Sequence, residues 1–243
     1  MTNPALPSGS IGLRIMACLA LLVLSCTLYC PAEEKQVATR KPPAAGEIKS
    51  AMQRGVDFLI TSQNKDGSWG SARNTKGLNI FAPVPGAHHA FRAAVTSLCL
   101  SSLIETNAEE GNVKAKAAIR RAEEWMLTNL GSVRRATGDA IYNVWGHSYG
   151  IAALVLMHEK TGNASRKARI KKVIEHQIKM LEKYESVDGG WGYYDFRYQA
   201  KQPSSSSISF TNATALVALK DAAKIGINVP DRLVKRAVAS IKR

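Results

Sequence analysis

From Glu47 onward the chain alternates between two kinds of hydrophobic pattern. In the first segment Ile48, Met52, Val56, Leu59 and Ile60 recur at helical spacing, while Lys49, Arg54 and Asp57 fall elsewhere. That spacing predicts an amphipathic helix with one dry face. The next segment, His89 to Ile104, is apolar or small nearly all round, as a helix buried on most sides requires. Val113 to Leu130 is again one-sided, with Ile119, Ala122 and Met126 apolar and Lys114, Lys116, Arg120 and Arg121 basic. Gly146 to Glu159 returns to the all-round apolar type, with Gly162 placed to cap it. Ser165 to Tyr184 opens at a Ser N-cap and aligns Ile170, Val173, Ile174, Gln177 and Leu181. Phe210 to Ile225 is of the buried type and stops at Gly226; a seventh helix after Pro230 aligns Val234, Ala237, Val238 and Ile241.

No segment alternates with period two, so no sheet is expected. Half-wet helices alternating with dry ones imply an all-α protein of about seven helices in two concentric layers, the dry ones inside. Helix pairs repeated along a chain mean a solenoid or a toroid.

The corners between helices carry a repeat of their own. Gln63-Asn64-Lys65-Asp66-Gly67-Ser68-Trp69-Gly70 and Glu185-Ser186-Val187-Asp188-Gly189-Gly190-Trp191-Gly192 place acid, Gly, small residue, Trp and Gly at matching offsets from a helix end. Asn143-Val144-Trp145-Gly146 is a weaker copy. Asp-Gly supplies a tight turn with φ > 0, and the Trp an apolar plug. Gln63 resembles the glutamine, and Trp69 the tryptophan, of the QW repeat motif of the terpene cyclase and prenyltransferase superfamily, squalene cyclases included. The resemblance runs from Glu47 to Arg243 and implies an α/α toroid. In the second copy Glu185 stands where that family prefers Gln, and an ionised Glu has no proton to donate to a neighbouring helix. Gly190–Phe196, the Ser204–Ser207 run and Phe210-Thr211 also resemble exported bacterial proteins with such repeats. Closed toroids of that family use more than seven helices, so an open arc is expected, with dimerisation one way to cover its last inner helix.

Ahead of the helices, Ile15 to Tyr29 is an uncharged apolar run preceded by Arg14. It is short for a bilayer span and suits a secretory signal over residues 1–32; Val23-Leu24-Ser25-Cys26 offers a lipoprotein route, and an uncleaved anchor is the third alternative. Each puts the folded part outside the cytoplasm. Residues 33–46, rich in Pro, Ala and charge, read as a flexible tether, leaving 47–243 as the folded domain. Only four Cys are present, three of them before residue 31, so neither a disulfide scaffold nor a Cys-based zinc site is expected.

The resemblance also frames the chemistry. Cyclases of the superfamily protonate an alkene with clustered Asp residues, whereas here no two Asp lie within six positions of each other. Its protein prenyltransferases hold zinc through Asp, Cys and His; Cys99, amid Leu98 and Leu100, reads as a small core residue, so no metal and no cofactor is expected. His89, His147 and Asp195 sit near the starts of inner helices. They are candidates for an acid–base or metal site, against the plainer reading of helix-end hydrogen bonding. Tyr149, Tyr193 and Tyr194 are candidate ligand contacts at the same mouth. His158 and His176 read as surface residues, and the sequons at Asn163 and Asn212 as chance.

With a formal charge of +14, and eight bases between Lys160 and Lys183, the chain suits an anionic membrane surface, against a merely solvated helix face. It lacks phosphate-binding glycine loops and the interleaved aromatic and basic residues of RNA readers, so no nucleic acid is expected. Two functional readings follow. One is an exported scaffold binding an apolar or carbohydrate-like ligand; the other is an enzyme acting on an isoprenoid or polysaccharide, with His147 and Asp195 as its acid–base pair.

Overall fold

The computed structural model describes residues 42–70, 85–135, 141–195, 202–204 and 207–243, with side chains described from Ala90 onward in the second stretch. The expected signal over residues 1–32, most of the tether and the side chain of His89 lie outside the described residues. The helices all belong to one unit, Ala45–Arg243. They are α1 (Ala45–Ser62), α2 (Pro85–Glu105), α3 (Val113–Asn129), α4 (Asn143–Lys160), α5 (Ala164–Lys183), α6 (Ser209–Lys224) and α7 (Asp231–Lys242), with one 3-10 turn at Leu130–Ser132. No strand occurs among the described residues.

Each helix follows from its periodicity. In α3, Ala115, Ala118, Ile119, Ala122, Trp125 and Met126 form the buried stripe, and Asn112 caps the first turn by accepting from Ala115 N at 3.0 Å. In α5 the stripe is Ile170, Ile174, Gln177, Ile178 and Leu181. Its cap is Asn163 rather than Ser165: Asn163 is extended and its Oδ1 accepts from Arg166 N at 2.8 Å, so Ser165 is already inside the first turn. Gly162 is likewise no C-cap, because Thr161 is extended and leads the chain out of α4 directly. The tether also ends sooner than expected, since α1 begins at Ala45.

The weaker third corner is not a corner. Asn143–Gly146 is the first turn of α4, and Tyr142 before it already has helical angles. Lacking the Asp-Gly pair, that stretch has nothing to force a left-handed turn. Gly146 serves a different purpose: a Cβ there would lie 3.2 Å from Ala90 O and 3.5 Å from Ala93 Cβ, so glycine lets α4 close on the alanine face of α2.

The helices form two layers. α2, α4 and α6 are the inner set, with α4 packed on both α2 and α6; α1, α3, α5 and α7 lie outside against them. Rings near the N-termini of neighbouring inner helices touch, Phe91 with Tyr142 and Trp145 with Phe210, so the inner helices run side by side in the same direction. Leu100, Leu103, Met126, Ile151, Leu154, Ile170, Ile174 and Leu181 are fully enclosed between the layers.

The inner helices are not dry all round. Val95 and Leu98 on α2 and Phe210 and Val217 on α6 are exposed, the last at 59%. Trp145, Tyr149, Ala152 and Leu156 on α4 are half-buried along one stripe. The three stripes lie on the side that an arc of this kind is expected to make concave: apolar positions that sequence pattern alone assigns to the core line an open wall instead.

Candidate functional site

The two tryptophan corners are built alike. Trp69 is 3% exposed and donates from Nε1 to Leu59 O at 2.8 Å; Trp191 is fully enclosed and donates from Nε1 to Leu181 O at 2.8 Å. Each backbone N–H of these tryptophans reaches the next inner helix: Trp69 N donates to Thr96 Oγ1 at 3.0 Å, and Trp191 N to Asn212 Oδ1 at 2.6 Å. Gly67 and Gly189 have φ of +90° and +94°. A Cβ on either would meet the carbonyl oxygen of an arginine on the neighbouring outer helix, Arg121 at 2.5 Å or Arg236 at 2.7 Å. Both corners therefore clamp the chain against the outer helix that covers the next inner one.

Their first residues do the same task with different chemistry. Gln63 donates to Gly67 O and to Ala118 O, each at 2.9 Å, and accepts from Arg121 Nε at 3.1 Å. Glu185 has no proton to donate; fully enclosed, it accepts from Arg236 Nε at 2.6 Å and lies 3.4 Å from Arg232 Nη2. The inter-helix link is kept by substituting an ion pair for the amide's donation. Asp66 closes its own turn by accepting from Ser68 N and Ser68 Oγ, and Arg92 Nη1 approaches its other oxygen at 3.3 Å. Burial opposes the Asp66 charge, but Ser68 and the Arg92 guanidinium outweigh it and hold the carboxyl below its usual range. Asp188 meets Arg243 at 3.3 Å. These corner residues are framework.

The concave wall ends in an aromatic cluster at the N-terminal end of the inner helices. Trp145 stacks on Tyr149 at 5.3 Å and on Phe210 at 6.0 Å. Tyr193 lies 5.9 Å from Trp145 and 5.6 Å from both Tyr142 and Phe210. Tyr142 also meets Phe91 at 5.4 Å and donates its hydroxyl to Tyr194 at 2.6 Å. Tyr149, Tyr193 and Tyr194, singled out from sequence, are thus brought together. Phe91, Tyr142, Trp145 and Phe210 were not singled out as ligand contacts. Their shared signal was an aromatic at each inner-helix entrance, which becomes visible once those helices are known to run in one direction.

His147 and Asp195 belong to different sets of contacts. His147 is fully enclosed between α4 and α5, with Nδ1 2.6 Å from Gln177 Oε1 and Nε2 3.2 Å from Asn143 Nδ2. Since an amide oxygen only accepts and an amide nitrogen only donates, the ring carries its proton on Nδ1 and is neutral. Burial lowers its pKa to about 4, against the raising effect of Gln177. Asp195, also fully enclosed, accepts from Arg135 Nη2 at 2.9 Å and from Ser204 N at 3.2 Å. His147 is thus tied to α5 and to the first turn of its own helix, and Asp195 to the segments around Arg135 and Ser204. Cys99 is half-buried on α2 among the core side chains, and burial pushes its thiol up to about 11. Among the described residues no three His, Cys, Asp or Glu side chains converge as metal ligands, and no helix is long and apolar enough to cross a membrane.

Residues 35–241 match the family model described as the squalene-hopene cyclase C-terminal domain. No curated protein matches the chain significantly.

Proposed function

The chain belongs to the squalene-hopene cyclase C-terminal domain family, and from that premise we propose that it is a binding scaffold, whose concave wall takes an elongated apolar ligand of isoprenoid type without cyclising it. The observation carrying this reading is the wall itself. Val95, Leu98, Leu156 and Val217 offer aliphatic contact along its length, and Trp145, Tyr149, Tyr193 and Phe210 close one end with stacked rings. Apolar surface presented by three adjacent helices marks an interaction site, and aromatic rings add contact with little entropic cost on binding. Catalysis of the cyclase kind requires a carboxylic acid kept protonated. Asp195, a described carboxyl group at this end of the inner helices, accepts from an arginine and a backbone N–H, partners that favour its ionised form.

The apolar run Ile15–Tyr29 supports export of this scaffold, and the mass of the mature chain recovered from cell fractions tests it. Ligand binding is tested by titrating the full chain with farnesol and with squalene, following tryptophan fluorescence and native mass. Saturable binding that Val217→Lys weakens at least tenfold, with no cyclised product by gas chromatography, is the expected result. A cyclic product from squalene overturns the scaffold reading, and unsaturable or Val217-independent uptake overturns the assignment to the wall.

A further inference from the structure

We infer that the hollow between the C-terminal half of α5 and the segment following α3 binds a doubly charged phosphate-type oxyanion. This site faces away from the apolar wall and does not depend on its ligand. The hollow has a volume of 560 Å³, and among its lining residues are Arg134, Arg135, His176, Lys183 and Tyr184, with no Asp or Glu among the described ones. Two of its cations are uncompensated: Arg134 and Lys183 have no carboxylate partner among the described residues. Arg135 is fixed from behind by Asp195 at 2.9 Å yet keeps 25% of its side chain exposed. Among the described residues three positive charges stand against one enclosed carboxylate, an excess of two that matches the charge of a phosphate monoester.

The cations are also held in place. Arg135 Cζ stands 5.8 Å, and Lys183 Nζ 5.6 Å, from the centre of the Tyr184 ring, which is 7% exposed and backed by the His147 ring at 6.0 Å. Arg135 and Lys183 thus bring two like charges to one ring, and Asp195 pairs with the first of them. His176, which sequence pattern assigns to the surface, is half-buried here, and its Nε2 is enclosed without a hydrogen-bond partner. In the Nε2–H tautomer this buried ring nitrogen would donate to an anion in the hollow. The contrast lies elsewhere on α3 and α5. A 420 Å³ hollow beside Arg120, Arg121 and Arg166 differs in having a carboxylate, Glu124, in its lining and in having Arg166 paired with Glu123 at 2.7 Å. The lysines from Lys160 to Lys179 add to the positive field along this stretch of the chain.

The test is calorimetric titration of the full chain with inorganic phosphate at low ionic strength. Arg134→Gln/Lys183→Gln and His176→Gln are compared with Lys114→Gln/Lys116→Gln, which removes equal charge from exposed positions on α3. Saturable binding, weakened about tenfold or more by the first double variant and about twofold or less by the control, is expected. His176→Gln lies between them. Vesicles of phosphatidylcholine with phosphatidate, set against vesicles of matched charge with phosphatidylglycerol, identify the source. Phosphatidate-selective binding that free phosphate displaces assigns a lipid headgroup; phosphate binding without it assigns a soluble ester. Absence of saturable phosphate binding, or equal losses in both double variants with unchanged circular dichroism, overturns the inference.

Discussion

Glu185 Oε1 accepts from Arg236 Nε at 2.6 Å, where the first corner joins Gln63 to Arg121 through the same pair of atom types at 3.1 Å. The two corners show one mechanical solution reached by an amide and by a carboxylate. They differ in what each leaves behind when broken. An orphaned amide is a missing hydrogen bond, whereas an orphaned carboxylate at zero exposure is a charge stranded away from water.

Arg236→Ala is therefore expected to cost about 3 kcal/mol, because it leaves Glu185 only the longer, 3.4 Å contact with the largely exposed Arg232. Glu185→Gln is expected to cost about 1 kcal/mol or less, since a glutamine there can accept from Arg236 and donate as Gln63 does. Urea unfolding of both variants decides it. A larger loss for Glu185→Gln than for Arg236→Ala contradicts the equivalence of the corners.

Glycine substitutions separate turn geometry from helix propensity. At Gly67 and Gly189 alanine meets both positive φ and an arginine carbonyl closer than any ordinary contact, so each change is expected to cost about 2–3 kcal/mol or more. Gly55 sits inside α1, exposed, with nothing near its absent Cβ. Gly55→Ala is expected to stabilise by about 0.5–1 kcal/mol. Thermal unfolding midpoints moving in opposite directions for Gly55→Ala and Gly189→Ala are the signature.

Much of this architecture is legible in the chain. Seven helices follow from hydrophobic period, and both true corners from Asp-Gly followed by Trp. What escaped has a common cause: it depends on partners distant in sequence. Nothing near Glu185 announces Arg236, 51 residues on. Apolar Val95, Phe210 and Val217 read as core because pattern reports hydrophobicity, not which side of a wall faces solvent. Trp145 looked like a corner plug since its Trp-Gly neighbours match, yet without Asp-Gly the backbone continues as helix and its ring goes to the concave side. His147 reads from sequence as a candidate at an inner-helix start, and only the fold shows Gln177 on α5 closing over it.

The apolar wall yields a prediction about stability as well as binding. Val217 is 59% exposed on α6, so Val217→Lys is expected to change unfolding free energy by about 0.5 kcal/mol or less. Leu219, two residues on and 1% exposed, faces the opposite way, and Leu219→Ala is expected to cost about 2–5 kcal/mol. Equal destabilisation by the two changes means that the stripe on α6 is covered in the folded protein and that the wall is not open.

Cys99 tests the same layer from its inner edge. Its thiol is pushed up to about 11 by burial, which leaves little thiolate at neutral pH. Alkylation by iodoacetamide at pH 8, followed at the Cys99 peptide by mass spectrometry, is expected to be at least ~10-fold slower in the native protein than in urea.

The pH dependence of stability follows from His147. Its folded pKa is about 4, below the 6.5 of an unperturbed imidazole, because burial penalises the charged ring. Between these values the unfolded chain binds a proton that the folded protein refuses, so stability rises with pH across that window. The contribution is complete above about 6.5 and is lost as pH falls toward 4, amounting to roughly 3 kcal/mol at full extent. His147→Gln removes the titrating ring and is expected to flatten the unfolding midpoint between pH 6.5 and 4, even though losing the stack on Tyr184 lowers it at pH 7. The Nδ1–H tautomer demanded by Gln177 and Asn143 gives a second, independent check by imidazole ¹⁵N shifts. A ring that titrates near 6.5 in the folded protein would show that water reaches it, and with that the seal between α4 and α5 would not hold.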